Sequence, residues 1–222
     1  MPRQIIPALI TSDENPENDF EELKAKFLKL EPFLGEFDNW IQIDITDGKF
    51  VSTKTSVDLK DLKYFTERAN VEFHLMIEKP EETIGEWVRL GPKRIVVHIE
   101  TVINLENLIS VCRENGVEIG LALNPETQVS MISPWINAVD LIMFLGVYPG
   151  RGGQEFIPEV LDKIKSLRQN FPDVKIGIDG GVRLTNIEEL KNAGIDVFVI
   201  GSGILKAPDV GKAIEELKSE IL

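Results

Sequence analysis

Polar side chains interrupt apolar runs at a few points along the chain, and those points carry its possible chemistry. The run Trp40-Ile41-Gln42-Ile43-Asp44-Ile45-Thr46 alternates isoleucine with amide, carboxylate and hydroxyl. Residues two apart on a strand share a face, so Gln42, Asp44 and Thr46 project together, away from the three isoleucines. A carboxylate on an inward face is costly unless something holds it. Backbone donors could do so, and that leaves a purely structural Asp44 as the competing reading. Asp179 closes a second apolar run, Ile176-Gly177-Ile178, immediately before Gly180 and Gly181. The chain has two histidines, and both His74 and His98 sit near the ends of such runs. A lone histidine on a strand is usually a satisfied core residue, but imidazole is also a common metal ligand and general base. The placement of both favours a role for His74. His98, two residues before Glu100, is the candidate to support it. Asp47, next to Gly48, fits a turn.

Three glycine-rich segments follow apolar runs late in the chain. They are Pro149-Gly150-Arg151-Gly152-Gly153-Gln154, Gly180-Gly181 and Gly201-Ser202-Gly203. Glycine lets a backbone turn sharply and lie close to a ligand, and convergent backbone N–H groups bind anions. One such loop marks only a turn, whereas three on adjacent strands mark a phosphate site. Arg151 adds a cation, although a solvated loop residue is an equally good description of it.

These groups allow one specific reaction class. Asp44 and Asp179 approach from opposite sides of a mouth, so one can take a proton from a carbon while the other returns one to the opposite face. The resulting carbanion needs a charge sink, which a divalent metal supplies. Asp44, His74 and Asp179 are candidate ligands, with Gln42 beside them. The glycine loops would hold the far end of a sugar phosphate and restrict how it lies across the acids.

The positioning elements are legible too. Short β-branched runs alternate with amphipathic segments eight times along 222 residues. Such alternation with short loops demands a parallel sheet. An open doubly wound sheet is possible, but eight units in this length favour an α/β fold of the closed (β/α)8 TIM-barrel type, with its site at the C-terminal ends of the strands. One domain spanning residues 1–222 is expected. Helices are expected over 19–34, 57–66, 81–90, 104–115, 131–136, 158–171, 187–192 and 210–221. Gly116 and Gly194 stop two of them, and Thr185 with Glu188 forms a capping box.

Composition narrows the partners. The net charge of −13 repels nucleic acid and anionic membranes, while local backbone donors still admit a small anion. With the single Cys112 no intrachain disulfide can form. There is neither an apolar leader nor a run of spanning length. A cytoplasmic protein is expected.

The motifs, in order, resemble the ribulose-phosphate 3-epimerase family nearly end to end. They are Ile6-Pro7-Ala8-Leu9, Ile43-Asp44-Ile45-Thr46-Asp47-Gly48, His74-Leu75-Met76, His98-Ile99-Glu100, Ala122-Leu123-Asn124-Pro125-Glu126-Thr127, the loop from Pro149 to Gln154, Asp179-Gly180-Gly181 and Gly201-Ser202. The resemblance implies a ribulose-phosphate-binding barrel that interconverts D-ribulose 5-phosphate and D-xylulose 5-phosphate in carbohydrate metabolism (the pentose phosphate pathway). It implies a divalent metal (Zn, Mn, Fe or Mg) and a homo-oligomer. Carried over, the acid/base pair is Asp44 and Asp179, and the ligands are Asp44, His74, Asp179 and position 42. Substrate contacts are His74 and Met76. Phosphate contacts are Gly150, Arg151, Gly152, Gly153, Gly180, Gly181, Gly201 and Ser202.

Departures cluster at the end where the proton would move. Position 42 is a histidine in that family and Gln42 here, and an amide oxygen is a harder, weaker ligand than imidazole. Ala8 replaces a serine, Thr46 and Leu145 replace methionines, and Ser52-Thr53 replaces Pro-Asn. Arg151 replaces a phenylalanine. Two other functions are therefore open. One is an epimerase for another ketose phosphate, such as D-allulose 6-phosphate. The other is a non-catalytic phosphosugar-binding paralogue, although two retained acids would bring a pure binder no evident benefit. A decarboxylase of the same superfamily needs Asp-x-Lys-x-x-Asp on the third strand, where this chain has only His74.

Overall fold

The computed structural model describes residues 2–12, 16–150 and 152–222. Eight parallel strands of these residues close into a barrel in sequence order. They are β1 (Gln4–Leu9), β2 (Trp40–Thr46), β3 (Asn70–Met76), β4 (Arg94–His98), β5 (Glu118–Leu123), β6 (Leu141–Leu145), β7 (Ile176–Asp179) and β8 (Val197–Ile200). β1 pairs with β8 through Gln4↔Val197 to Pro7↔Ile200, which closes the ring and excludes an open sheet. The helices are α1 (Asp19–Leu30), α2 (Leu59–Thr66), α3 (Ile84–Val88), α4 (Leu105–Glu114), α5 (Val160–Asn170), α6 (Ile187–Ala193), α7 (Ser202–Leu205) and α8 (Val210–Ile221). Among the described residues no helix is long and apolar enough to cross a membrane.

Strand parity divides the core into two layers. Ile41, Ile43 and Ile45 face outward and pack with Phe27, Leu30 and Phe65 of the helices. Ile6, Val96, Leu141, Met143, Val197 and Val199 fill the barrel interior. This is the period-two division that the alternation of β2 dictates.

Several helices differ from their expected form. The segment 19–34 is α-helical only to Leu30 and continues as a 3-10 helix over Glu31–Phe37. Pro32 has no N–H for an α-type bond to the preceding turn. The segment 131–136 contains no α-helix but parts of two 3-10 turns, Val129–Met131 and Ser133–Trp135, separated at Ile132. Pro134 again removes a donor, while Ile132 and Ile136 still reach the core. The segment 81–90 is a 3-10 turn at Pro80–Glu82 followed by the five-residue α3. Thr185 does not cap α6: the N-cap is Asn186, without a side-chain cap hydrogen bond. Gly116 and Gly194 do follow their helices with positive φ of 68° and 97°.

The floor of the barrel holds a buried charge group. On β3, Glu72 and His74 share the inward face, and Glu72 accepts from Arg94 Nη1 at 2.6 Å. Arg94 also donates to Glu118 at 2.8 Å and lies 4.6 Å from the Trp40 ring. Burial pushes the Glu72 carboxyl up, against the Arg94 charge. Removing Arg94 would strand that carboxylate. Arg94→Met should therefore cost about 3–5 kcal/mol of unfolding free energy, and the double variant with Glu72→Leu should recover most of it. Urea denaturation tests this, and a single variant as stable as wild type would refute it.

Candidate active site

The site rests on strand register. Asp44 lies opposite His74 across β2 and β3, Ala8 opposite Gln42 across β1 and β2, and Leu145 opposite Asp179 across β6 and β7. Closure of the barrel then brings β7 across to β2. One ligand atom from each of Asp44, His74 and Asp179 lies within 4.8 Å of the others. Gln42 Nε2 donates to Asp44 Oδ1 at 2.7 Å and to Asp179 Oδ2 at 2.8 Å, bridging the two carboxylates. His74 Nδ1 lies 3.0 Å from Asp179 Oδ2 and 3.5 Å from Asp44 Oδ1.

Burial and charge set the protonation of the group. Burial pushes the Asp44 carboxyl up, and the neighbouring Asp179 charge adds to that, against the hydrogen bonds from His74 and Gln42. Burial alone would depress His74, but the Asp179 and Asp44 carboxylates outweigh it and hold the imidazole up to about 10. Without a metal, His74 is therefore an imidazolium at neutral pH. His98 behaves oppositely. Burial pushes it down to about 4, so it is neutral. Its Nε2 lies 2.9 Å from His74 Nε2.

The donor set fits a divalent cation. Two carboxylates and an imidazole converge, and Gln42 Oε1 is buried with no hydrogen-bond partner. Turning that amide over would point its oxygen at the carboxylates, an arrangement that only a cation between them would favour. Oxygen-rich ligation of this kind suits manganese or magnesium better than a histidine-rich set would.

Above the acids opens a cavity of about 710 Å³. Ala8, Met76 and Leu145 line it beside Asp44, His74 and Asp179. Gly150, Gly152, Gly153, Gly180, Gly181, Gly201 and Ser202 line its other part. Arg151 lies outside the described residues. Glycine is required at 181, where φ is 71° and an added Cβ would sit 2.7 Å from Phe156 Cα. Thr46 is absent from the lining, and its hydroxyl lies 3.1 Å from Thr55 Oγ1. Asp47 is the turn residue expected, accepting from the N–H groups of Lys49, Phe50 and Glu78.

Sequence reasoning missed three lysines of this cavity, Lys26, Lys29 and Lys206. Lys26 is tied to Glu22 at 2.6 Å. Lys206 Nζ reaches within 3.8 Å of the point where a Cβ on Gly153 would stand. A lysine four residues after Ser202, in so acidic a chain, was the available signal.

Comparison with known proteins bears on the fold and the family of the chain. A solved structure of KGPDC from Streptococcus mutans superposes with a TM-score of 0.74 at 14% identity, covering 99% of this chain and 97% of that one. At that identity the likeness speaks for the fold alone. The ribulose-phosphate 3-epimerase of Escherichia coli K12 is 33% identical over 187 residues, 82% of this chain and 83% of the relative. That of Schizosaccharomyces pombe is 31% identical over 208 residues, 90% and 91% of the two chains. The sequence profile of the ribulose-phosphate 3 epimerase family matches residues 18–205, so the chain belongs to that family.

Proposed function

We propose that the protein interconverts D-ribulose 5-phosphate and D-xylulose 5-phosphate by moving the C3 proton between two carboxylates. The observation that carries this reading is the convergence of Asp44 and Asp179 from β2 and β7 on one point, beneath a glycine-lined cavity. A two-base reaction needs one acid ionised and one protonated at rest, and neighbouring carboxylates achieve that by mutual repulsion. The raised Asp44 carboxyl suits the protonated partner, which leaves Asp179 to take the proton in that direction. In the reverse direction the roles exchange. His74 and the Gln42 amide hold the pair in place. Ala8, Met76 and Leu145 wall the reacting carbon with apolar surface and exclude water from the carbanion.

At the other end, the loops at Gly150, Gly152 and Gly153, at Gly180 and Gly181, and at Gly201 and Ser202 hold the phosphate through backbone N–H groups. Lys206 stands beside them. A divalent metal bound by Asp44, His74, Asp179 and a turned Gln42 would supply positive charge against the negative charge that develops on the substrate oxygens.

The test is solvent exchange at C3 in deuterated water with ribulose 5-phosphate. Wild type should exchange and invert the centre. Asp44→Asn and Asp179→Asn should each reduce inversion by about 10²–10⁴, with exchange persisting from the one epimer that faces the remaining acid. Exchange with a six-carbon ketose phosphate but not with ribulose 5-phosphate would point to the allulose-type alternative. Binding without exchange of either would overturn catalysis.

The metal reading has its own test. Ligation requires a neutral His74, which is protonated in the metal-free protein. Manganese or zinc should therefore release at least one proton on binding, from His74 and from any protonated Asp44, and affinity should rise by about tenfold or more per pH unit below the His74 value. Calorimetry in buffers of different ionisation enthalpy measures this, and binding without proton release would contradict it. Gln42→His should raise zinc affinity more than manganese affinity.

A further inference from the structure

His98-Ile99-Glu100 and Asn124-Pro125-Glu126-Thr127 touch neither the cavity nor the three ligand side chains, apart from the contact of His98 with His74. Yet His98, Glu100, Asn124 and Thr127 form one hydrogen-bonded chain behind the site, with His98 and Thr127 buried and Glu100 and Asn124 half-buried. Glu100 Oε1 accepts from the Asn124 N–H at 2.8 Å and from the Thr127 hydroxyl. Its other oxygen lies 3.3 Å from His98 Nδ1. His98 Nε2 is 2.9 Å from His74 Nε2, and the two rings lie within 11° of parallel with centroids 5.0 Å apart. That nitrogen separation is shorter than stacked faces allow, so the bond runs near the ring planes. Phe50 packs on His98 at 4.8 Å, and Lys163 of α5 clamps the 124–127 loop through the carbonyls of Pro125 and Thr127.

The direction of each bond follows from donor chemistry. The Asn124 N–H and the Thr127 hydroxyl both donate to Glu100, which leaves the carboxylate acceptor-only. His98 Nδ1 must then carry the hydrogen. A neutral imidazole with Nδ1–H has its lone pair on Nε2, so His74 Nε2 must donate to it. The remaining nitrogen of His74, Nδ1, is the one aimed at Asp44 and Asp179.

We infer that Glu100, fixed by the 124–127 loop, acts through His98 to hold His74 in its Nε2–H form, so that Nδ1 is kept for a divalent metal. Glu100 and His98 are positioning residues. The inference rests on the metal reading above. Outer partners of this kind set ligand orientation and basicity, and their loss costs metal affinity.

Glu100→Gln makes a sharp test because it reverses the chain. Asn124 and Thr127 need an acceptor, so the amide oxygen takes that side and the NH₂ faces His98. His98 then accepts at Nδ1 and donates from Nε2, which forces His74 to place its hydrogen on Nδ1. His98→Leu removes the relay altogether. His98→Gln restores its polarity, with NH₂ towards Glu100 and the amide oxygen towards His74. With full-length chelated protein and zinc alone as the probe, Glu100→Gln and His98→Leu should bind about 10–100-fold more weakly than wild type. His98→Gln should recover most of the loss. Long-range ¹⁵N–¹H spectra of the zinc-loaded proteins should show His74 as Nε2–H in wild type. The same spectra of metal-free Glu100→Gln at a pH above the His74 titration should show the Nδ1–H form. Circular dichroism establishes folding for each variant, and Glu100→Gln keeps the test available if His98→Leu does not fold. Folded variants that bind zinc as wild type does would overturn the relay and leave the metal reading standing. A wild type that binds no zinc would overturn both.

Discussion

Two carboxylates converge where the barrel opens, and most of the inner architecture answers that crowding. Like charges about 4 Å apart repel by about 4 kcal/mol even at an effective dielectric constant of about 20. The fold accepts this because β2 and β7 are fixed by ladders on both sides and cannot part. Compensation comes from Gln42, whose amide bridges the pair, and from His74, whose Nδ1 faces both. Burial pushes the Asp44 carboxyl up, and the same crowding adds to that push.

Charge in the interior is arranged in tiers along the barrel axis. Glu72, one inward position below His74 on β3, is met by Arg94 from β4, and Trp40 covers the guanidinium. A tier higher, His74 meets His98, and His98 meets Glu100. Glu72 and Asp44 are met from the neighbouring strand, where parallel register places Arg94 and His74 beside them, whereas Asp179 is met from across the barrel by Gln42 and His74. The floor secures stability while the upper tier is left to meet a ligand.

Much of this was legible in the sequence. The alternation of β2 assigned Asp44 and Gln42 inward and Ile41, Ile43 and Ile45 outward, and the structure has them so. That works because a period of two is a purely local property. Glu72 shares that parity with His74, but the sequence reading passed over it, and its Arg94 partner lies on another strand where only register reveals it. Helix type was read less well wherever proline occurred, at 32 and at 134, since apolar spacing reports the buried face and not the hydrogen-bond pattern. The capping box failed because Asn186, nearer the helix, took the position from Thr185. Spacing likewise could not say that Thr46 turns to Thr55 rather than to the cavity, nor that Lys206 returns over Gly153.

Gln42 is the departure with the clearest physical reading. An imidazole at this position changes from donor to acceptor only by losing or moving a proton. A carboxamide changes by turning about a soft terminal torsion. In the metal-free site its NH₂ faces the two carboxylates, and its oxygen is buried without a partner. Turned over, the oxygen would face a cation held by those carboxylates, and the NH₂ would need an acceptor on the far side. Glu72 stands directly across from Gln42 in the β2–β3 register, and its Oε1 is likewise buried without a partner. The two unpartnered oxygens are thus complementary to the turned amide: one would find a metal, and the other would find the NH₂. Position 42 can therefore serve the empty and the loaded site without exchanging a proton, unlike His74 and a protonated Asp44, whose protons must leave before they ligate.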